Sequence, residues 1–438
     1  MSLSDTLPYS CLFLDCSCKD IFHAASNCVR RRVNRSDVIS QLQQIWTTPV
    51  DKRPVLPCLS VRTALDLFFS VMNFPQGSEI IISAMNIPDI VCILHHHGLK
   101  IVTIDVAMET MAPKTEWLED LITEKTVAIL VAHLYGKWFN LDPFILVAKR
   151  HKLCIIEDCA EVFYGLKHVG HVEADITLFS FGVIKHCTAF GGAIAKIRDE
   201  QVYNKMHYLY STFPSQAHSN YLSKVLKYSL IYLLLNCPKN LRFVLYFSRK
   251  IGFDVKNYMV SCLRGFPQDL IRKLRYQPCT ALLIQMHQRF YSFSFPDFSL
   301  ANTKGDYVCH RLPEDVIHVG TEAKINNYWL FPIVVDNPEE VMKVLNALGV
   351  DAYRGATQIG LIEPDEGNKH MTHLENLVKC YPHEARYIVD HIIYLPINKT
   401  VPFQELDKIC DRLQTAIKRC SKHPLTEPNI QWKLQSKL

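Results

Sequence analysis

The feature that most constrains the fold is a regular alternation of apolar runs and helical segments between residues 60 and 182. Runs such as GSEIIISAMNI, LKIVTIDV and LCIIEDCA are typical of buried strands, and the segments between them have helical periodicity. Strands separated by helices form parallel β-α-β units, in which helices cover both faces of one sheet. The sequence therefore predicts an α/β fold with a mostly parallel central sheet flanked by helices.

Composition excludes several other classes of protein. The 438 residues are 48% hydrophobic and 21% charged, which is enough for one large core and a second domain. The net charge of +5 is not concentrated in a block, and the densest basic run, RRRVNR at 30–35, is too short to predict nucleic-acid binding. The 16 cysteines are scattered and the first residues lack a signal-peptide pattern, so we expect reduced thiols and a cytoplasmic protein. The cysteines at 11–28 have no familiar zinc spacing, and we expect no metal site.

Two changes of pattern divide the chain. Residues 203–275 interrupt the alternation and indicate a helical insertion rich in Tyr, Leu and Lys. Beyond about residue 300, a strand–helix–strand pattern predicts a smaller C-terminal α/β domain that ends in the helix FQELDKICDRLQTAI. The predicted organisation is an N-terminal helical or extended segment (1–54), a large domain (55–300) and a small domain (301–438).

The insertion contains an uncharged stretch, YSLIYLLLNCP at 228–238, that is too short to span a bilayer. Its flanks carry the cations Lys224, Lys227, Lys239 and Arg242. A helix of this kind can lie on a lipid surface, which would make 221–250 a peripheral membrane contact. The alternative is that the insertion packs on its own domain or on a partner subunit.

Polar groups follow three of the predicted strands, at the edge where parallel sheets bind ligands. They are His133, Asp158, and the pair Ser180 and Lys185. Lys185 stands in the stretch LFSFGVIKHCTAFGG, which is otherwise apolar, small or weakly polar. An unpartnered lysine in such surroundings is costly and tends to lose its charge. This lysine therefore either reaches solvent or is neutralised by chemistry.

Pyridoxal 5′-phosphate (PLP) is a cofactor that would use these residue types. It needs a lysine amine for a Schiff base, a carboxylate at its pyridine nitrogen, and donors for its phosphate. Lys185 and Asp158, which follow different strands, supply the first two, and Ser180 offers a hydroxyl five residues before the lysine. The helix start LSVRTAL at 59–65, with Ser60 and Arg62, is a candidate phosphate site.

The motifs AHLYG, IIEDCAEVFYG, ADITLFSFGVIKHCTAFGGAI and SVRTALDLFFSVMNFPQGSEIIISA resemble the DegT/DnrJ-type aminotransferases, which are fold-type I PLP enzymes. The resemblance covers residues 55–200 and continues more loosely into the C-terminal domain. It implies a large PLP-binding domain with a smaller C-terminal domain. It also implies roles for individual residues: Lys185 as the Schiff-base lysine, Asp158 at the pyridinium nitrogen, Ser180 at the phosphate, Ser60, Val61 and Arg62 as the phosphate turn, and His133 beside the cofactor pocket.

The chain departs from the family pattern at several of these positions. Val61 and Arg62 replace the glycine and threonine of a Ser-Gly-Thr turn. Glu161 replaces a frequent glutamine and puts an extra carboxylate near the cofactor ring. Ile87 falls where an aromatic side chain often stacks on the ring. Gln277 stands where the family has an asparagine that reaches the neighbouring subunit's phosphate.

The resemblance implies an aminotransferase that forms a Lys185 aldimine. Its donor would be glutamate or glutamine, its acceptor a keto compound such as a nucleotide-linked keto-sugar, and its sites would be shared in a homodimer. One alternative is another PLP chemistry such as sugar dehydration, although family dehydratases replace the lysine with histidine and Lys185 is present here. The other is a catalytically silent scaffold or membrane-surface binder.

Overall fold

The computed structural model describes residues 5–29, 33–252, 258–261, 269–365 and 381–420. Parts of the predicted insertion and of the C-terminal domain, and three residues of the basic run at 30–35, lie outside these ranges.

A seven-stranded sheet with the order β1-β9-β8-β7-β5-β2-β4 forms the centre of the large domain. The strands in this part of the chain are β1 (Val55–Cys58), β2 (Glu79–Ser83), β3 (Met85–Asn86), β4 (Lys100–Ile104), β5 (Thr126–Ala132), β6 (Lys137–Trp138), β7 (Cys154–Asp158), β8 (Ile176–Ser180) and β9 (Ala193–Ile197). Strands β4, β2, β5, β7 and β8 are parallel to one another, whereas β9 is antiparallel to both β8 and β1. The predicted α/β fold with a mostly parallel sheet is confirmed.

Helices cover the sheet and form the insertion. They are α1 (Cys18–Val29), α2 (Arg35–Trp46), α3 (Val61–Met72), α4 (Pro88–His96), α5 (Leu118–Leu121), α6 (Asp142–His151), α7 (Glu200–Ser211), α8 (His218–Leu235), α9 (Pro238–Lys250), α10 (Leu270–Leu274), α11 (Thr280–Tyr291) and α12 (Phe295–Cys309). Side chains of Asn34, Ser60 and Asp199 cap the starts of α2, α3 and α7 by accepting from free backbone N–H groups. Within the described residues, no helix has the length and apolar character needed to cross a membrane.

A smaller α/β unit follows. It contains β10 (Ile317–His318), β11 (Ile325–Asn326), β12 (Phe331–Val334), β13 (Gly360–Leu361), β14 (Ile392–Leu395), α13 (Pro338–Ala347), α14 (His383–His391) and α15 (Phe403–Cys420). Strands β10, β12 and β14 form an antiparallel sheet. Strands β11 and β13 pair instead with β6 and β3, so the C-terminal part of the chain reaches the loops beyond the large sheet.

The core on one face of the large sheet is centred on Trp46. Its ring centre lies 5.0 Å from that of Phe179 and 5.4 Å from that of Phe290, and the indole is fully buried. Because Phe179 belongs to β8 and Phe290 to α11, this cluster joins the N-terminal helix α2 to the strand that precedes Lys185.

A buried ionic network stabilises the antiparallel edge of the same sheet. Asp51 accepts from both Arg53 and Lys196, at 2.8 Å and 2.7 Å. Arg53 also donates to Thr177 at 2.9 Å, and Thr177 donates to Glu157 at 3.0 Å. Breaking a buried network of this kind leaves an uncompensated charge, at a cost of about 3–5 kcal/mol.

Two segments differ from the structure that their sequence patterns indicate. The segment 286–313, which has little periodic signal, contains the end of α11 and all of α12. The segment TEWLEDLI forms a 3₁₀ turn followed by the one-turn α5. Position 300, where we placed the domain boundary, lies inside α12, and the division into domains stays a prediction.

Candidate active site

A tight loop at 181–192 between β8 and β9 carries Lys185. The N–H groups of Ala189 and Gly191 both donate to the carbonyl of Phe181 at 3.1 Å, and Lys185 N donates to Gly182 O at 3.0 Å. Gly192 has a φ of +87°, and a Cβ there would lie 2.4 Å from Met286 Sδ. Glycine at 192 is therefore needed both for the backbone conformation and for the close approach of α11.

The Lys185 side chain is largely buried, with 17% of its surface exposed. Its Nζ lies 3.0 Å from Glu161 Oε1 and 3.7 Å from the ring centre of Trp329. Burial lowers the pKa of the Lys185 ammonium, although the nearby carboxylates of Glu161 and Asp158 oppose the shift. The amine is thus nearer to its neutral, nucleophilic form than a surface lysine.

Glu161 holds the amine in place. While Oε1 accepts from Lys185, Oε2 accepts from the backbone N–H of Tyr135 at 2.9 Å. Both carboxylate oxygens therefore have donors, and the side chain is buried. Glu161, the extra carboxylate noted in the sequence, therefore forms a direct hydrogen bond with Lys185.

Asp158 is the last residue of β7 and is paired in register with Ala132 of β5. Burial raises the pKa of its carboxyl to about 6, against the effects of a hydrogen bond from Ala160 N and the charge of Lys185. That hydrogen bond, 2.9 Å long, reaches Oδ1. A carboxylate can accept about four hydrogen bonds, so Asp158 retains capacity for a cationic N–H partner, which would favour its ionised form.

The start of α3 offers backbone donors for an anion. Ser60 caps the helix, with its Oγ accepting from Thr63 N at 3.1 Å. The N–H groups of Val61 and Arg62 lie in the first turn, where no acceptor exists within the helix. The Arg62 guanidinium forms an ion pair with Asp89 at 3.0 Å, so its charge is shared with a carboxylate of the following helix α4. Ser180, at the end of β8, accepts from Gly182 N at 3.4 Å.

These groups surround one cavity of about 240 Å³. All nine residues singled out from the sequence line it: Ser60, Val61, Arg62, Ile87, His133, Asp158, Glu161, Ser180 and Lys185. The carboxyl ends of β5, β7 and β8 therefore converge as the parallel arrangement predicts. Their direct contact with a cofactor stays a prediction.

Unlike the other residues predicted for the site, His133 has its ring packed among buried side chains. It is completely buried, stacks on Trp138 with ring centres 5.0 Å apart, and places Nε2 at 3.2 Å from Glu157 Oε1. The ring thus lies within the cavity wall. His133, Glu157 and Cys159 are close enough to hold a metal ion, but burial raises the pKa of the Cys159 thiol well above its usual value. Since the thiolate is the metal ligand, burial makes the deprotonation that metal binding requires costly at Cys159.

Other cavity residues carried no recognisable signal in the sequence. Trp329 follows β11 and reaches Lys185 from the C-terminal part of the chain, held by a 2.6 Å hydrogen bond from its Nε1 to Ile184 O. Tyr221, Lys224 and Tyr228 come from one face of α8, three and four residues apart. Only the folded chain brings these segments to the sheet, so local patterns do not reveal them.

Gln277 makes contacts within its own chain. Its Nε2 donates to Phe213 O at 2.8 Å, and its Oε1 accepts from Arg35 at 2.9 Å. The side chain therefore ties the end of the insertion to α7 and α2.

Comparisons with known proteins agree with this geometry. Residues 44–231 match the model of the DegT/DnrJ/EryC1/StrS aminotransferase family. The chain is 32% identical to GDP-perosamine synthase of Escherichia coli O157:H7 over 145 residues. These residues are 32% of this chain and 40% of that relative. It is also 29% identical to UDP-4-amino-4-deoxy-L-arabinose--oxoglutarate aminotransferase of Shewanella sediminis over 145 residues, which are 33% of this chain and 37% of that relative. The matched region thus spans about two fifths of these relatives.

Solved structures match over nearly the whole chain. E. coli GDP-4-keto-6-deoxy-D-mannose-3-dehydratase with bound hydrated PLP has a TM-score of 0.66 at 14% identity, covering 93% of this chain and 100% of that one. The aminotransferase TlmJ from Streptoalloteichus hindustanus has a TM-score of 0.64 at 11% identity, covering 93% and 99%. The resemblance to the DegT/DnrJ family is confirmed over residues 44–231, and the fold expected for it is confirmed for the chain.

Proposed function

We propose that the protein is a PLP-dependent aminotransferase, as the match of residues 44–231 to the DegT/DnrJ/EryC1/StrS aminotransferase family suggests. One observation carries the proposal. A largely buried lysine amine and a buried carboxylate, those of Lys185 and Asp158, line one cavity together with the start of helix α3, where backbone N–H groups favour an anion. Few ligands need an amine, a carboxylate and a phosphate site at once, and PLP is one of them.

The residues present fit PLP in their chemistry. Lys185 offers the amine for covalent attachment, and Asp158 offers a carboxylate for the pyridine N–H. Ser60, Val61, Arg62 and Ser180 offer hydroxyl and backbone donors for the phosphate. Ile87 gives an aliphatic cover for the ring, and Glu161 and His133 complete the surroundings.

When bound, PLP supplies an electron sink that stabilises negative charge at the substrate's Cα. Once the amino donor has displaced it from the cofactor, Lys185 would be the base that takes the proton from the donor's Cα, because burial shifts its amine toward the neutral form. Asp158 would hold the proton on the pyridine nitrogen. Glu161, which accepts from Lys185 Nζ and from Tyr135 N, orients the amine toward the cavity.

The proposed donor is glutamate or glutamine, and the proposed acceptor is a nucleotide-linked keto-sugar. The first follows the family, and relatives named for nucleotide sugars support the second. Lys224 adds a cation to the cavity wall, which suits an anionic substrate.

We also propose a homodimer, as the resemblance implies, and a cytoplasmic location, which rests on the cysteine pattern. Gln277 is engaged within its own chain, so a contact from it to a neighbouring subunit's phosphate has no support in its hydrogen bonds. A lipid surface is a further proposed partner, supported by the outer faces of α8 and α9.

Sugar dehydration is less well supported. The dehydratases of the family have histidine in place of the lysine, whereas Lys185 is present and the neighbouring His186 ring is buried against Phe298, 5.0 Å between ring centres. Burial lowers the pKa of His186 to about 4, so that ring is neutral. A silent scaffold remains the other alternative.

The test is to add PLP to the purified protein and then glutamate. We expect a visible absorption band that changes on adding glutamate and returns on adding a keto-sugar nucleotide. Lys185→Ala should lose this band. The exposed Lys149→Gln is its matched control and should keep the band, whereas Lys196→Gln is unsuitable because it would break the Asp51 network. A protein that binds no PLP contradicts the proposal, and one that binds PLP without responding to any amino donor favours the scaffold.

A further inference from the structure

We propose that the outer face of α8 and α9 docks on an anionic lipid surface, which goes beyond the aminotransferase activity. The face consists of Leu226, Leu230 and Leu233 of α8, Phe243 and Phe247 of α9, and Ile251 just after it. We call it the lipid face. Each of these side chains is at least 40% exposed.

The α8 part of the face is a regular stripe. Leu226, Leu230 and Leu233 are spaced four and three residues apart, which places them on one side of a helix. Leu230 is 71% exposed. Isolated exposed leucines are ordinary on protein surfaces, but a stripe aligned along one helix points to a partner.

The α9 part of the face consists of exposed aromatic rings. Phe243 and Phe247 are one turn apart, their ring centres lie 4.3 Å from each other, and both are exposed. Ile251, at the end of the same helix, is 74% exposed. Helices that lie in a membrane interface combine exposed leucine or phenylalanine on one side with lysines beside them, and α8 and α9 each have this composition.

Charge identifies the lipid as anionic. Residues 201–253 contain no aspartate or glutamate. The cations of this segment are Lys205, Lys224, Lys227, Lys239, Arg242, Arg249 and Lys250. Lys227, Lys239 and Lys250 are exposed on the same two helices as the lipid face. A lysine close to an anionic membrane surface favours binding by roughly fivefold.

The inner side of α8 fixes the face in position. Tyr221, Val225 and Tyr228 are buried, and the Tyr221 hydroxyl donates to Ala189 O at 2.8 Å. Because Tyr221, Lys224 and Tyr228 also line the cavity, one helix separates the cavity from the lipid face. Docking would therefore bring the cavity within about 10 Å, one helix diameter, of the lipid headgroups.

A second copy of this chain is a poorer occupant. A two-fold contact through the lipid face would set the same surface against itself. It would bring Lys227, Lys239 and Lys250 near their own copies with no acidic residue in the segment to compensate. Like charges brought together at an interface oppose association.

The experiment is co-sedimentation of the full chain with vesicles of phosphatidylcholine alone or mixed with phosphatidylserine. We expect binding to the anionic vesicles, weakened by raised salt. The triple variant Lys227→Gln, Lys239→Gln, Lys250→Gln should bind roughly 100-fold more weakly, since each lysine contributes roughly fivefold. Leu230→Ser with Phe243→Ser should also lose binding while PLP binding stays unchanged.

The matched control is Leu146→Ser with Tyr291→Ser, two exposed apolar residues outside the lipid face, which should bind vesicles as the parent does. Sedimentation velocity measures the subunit number of every variant. Absence of vesicle binding by the parent overturns the proposal, and so does equal binding to neutral and anionic vesicles. A change of subunit number in the lipid-face variants, without vesicle binding, would identify the face as a subunit interface instead.

Discussion

The cavity has two walls that differ in what lies behind them. On the sheet wall, Asp158 ends β7 and Ser180 ends β8, and Lys185 lies in the loop after β8. The parallel register of β7 and β8 holds these strand ends side by side. The opposite wall is α8, whose inner face contributes Tyr221 and Lys224 and whose outer face is apolar and exposed. Both walls belong to residues 44–231, which match a family of aminotransferases. The sheet wall is suited to the proposed chemistry, whereas the α8 wall, which belongs to the insertion, is suited to selecting a substrate or a surface.

The core behind the sheet wall should be the most sensitive region to truncation. Trp46→Ala removes a fully buried indole that contacts Phe179 of β8, so we expect a loss of about 3–5 kcal/mol in unfolding free energy. Leu226→Ala on the outer face of α8 should change it by less than about 0.5 kcal/mol. Urea unfolding of both variants measures the contrast, and equal losses would show that the two walls are equally well packed.

Asp158→Asn should be the most damaging change to activity that leaves the fold intact. It removes the charge that would hold the pyridine proton, and we expect a loss of at least about 100-fold in kcat. In the parent, PLP affinity should fall as pH drops through about 6, because burial raises the pKa of Asp158 to about 6 and the protonated carboxyl no longer pairs with a cation. Titration at several pH values tests this.

The exposed Asp142→Asn is the matched control and should behave as the parent in both assays. If Asp158→Asn retained the parent's pH dependence of PLP binding, another group would be responsible for it.

Glu161→Gln should have a smaller effect with a characteristic pH signature. The Glu161 carboxylate raises the pKa of Lys185 against the effect of burial, so its removal should lower that pKa further. The neutral amine would then persist to lower pH. We expect the acid limb of the activity profile to move to lower pH, with kcat changed by about tenfold or less. A loss of activity without any movement of the limb would mean that Glu161 acts only by packing.

Lys224→Ala should give the smallest effect, confined to substrate binding. The amine lies on the insertion wall, and burial lowers its pKa, which indicates surroundings with little compensating negative charge. We expect KM for an anionic substrate to rise about fivefold with kcat unchanged, as for a uniform binding contact. Steady-state kinetics of Lys224→Ala and Lys227→Ala, whose side chain is exposed, separate the two faces of α8. Equal effects would contradict the assignment of Lys224 to the cavity.

The sequence predicted the sheet wall well because buried parallel strands are continuous apolar runs with polar residues at their ends. It predicted no strand at Ala193–Ile197, where Lys196 interrupts the apolar pattern. That lysine is buried only because Asp51, far away in the sequence, pairs with it. Trp329 was missed for the same reason, since its contact with Lys185 exists only in the folded chain.

The central claim is that Lys185 is the lysine to which PLP attaches, and identifying the modified lysine tests it most directly. The PLP-treated protein is reduced with borohydride, digested and analysed by peptide mass spectrometry. We predict one modified lysine, Lys185, with Lys196 and Lys224 unmodified, and no modification in Lys185→Ala. Attachment spread over several lysines, or concentrated on any other, would contradict the proposed site.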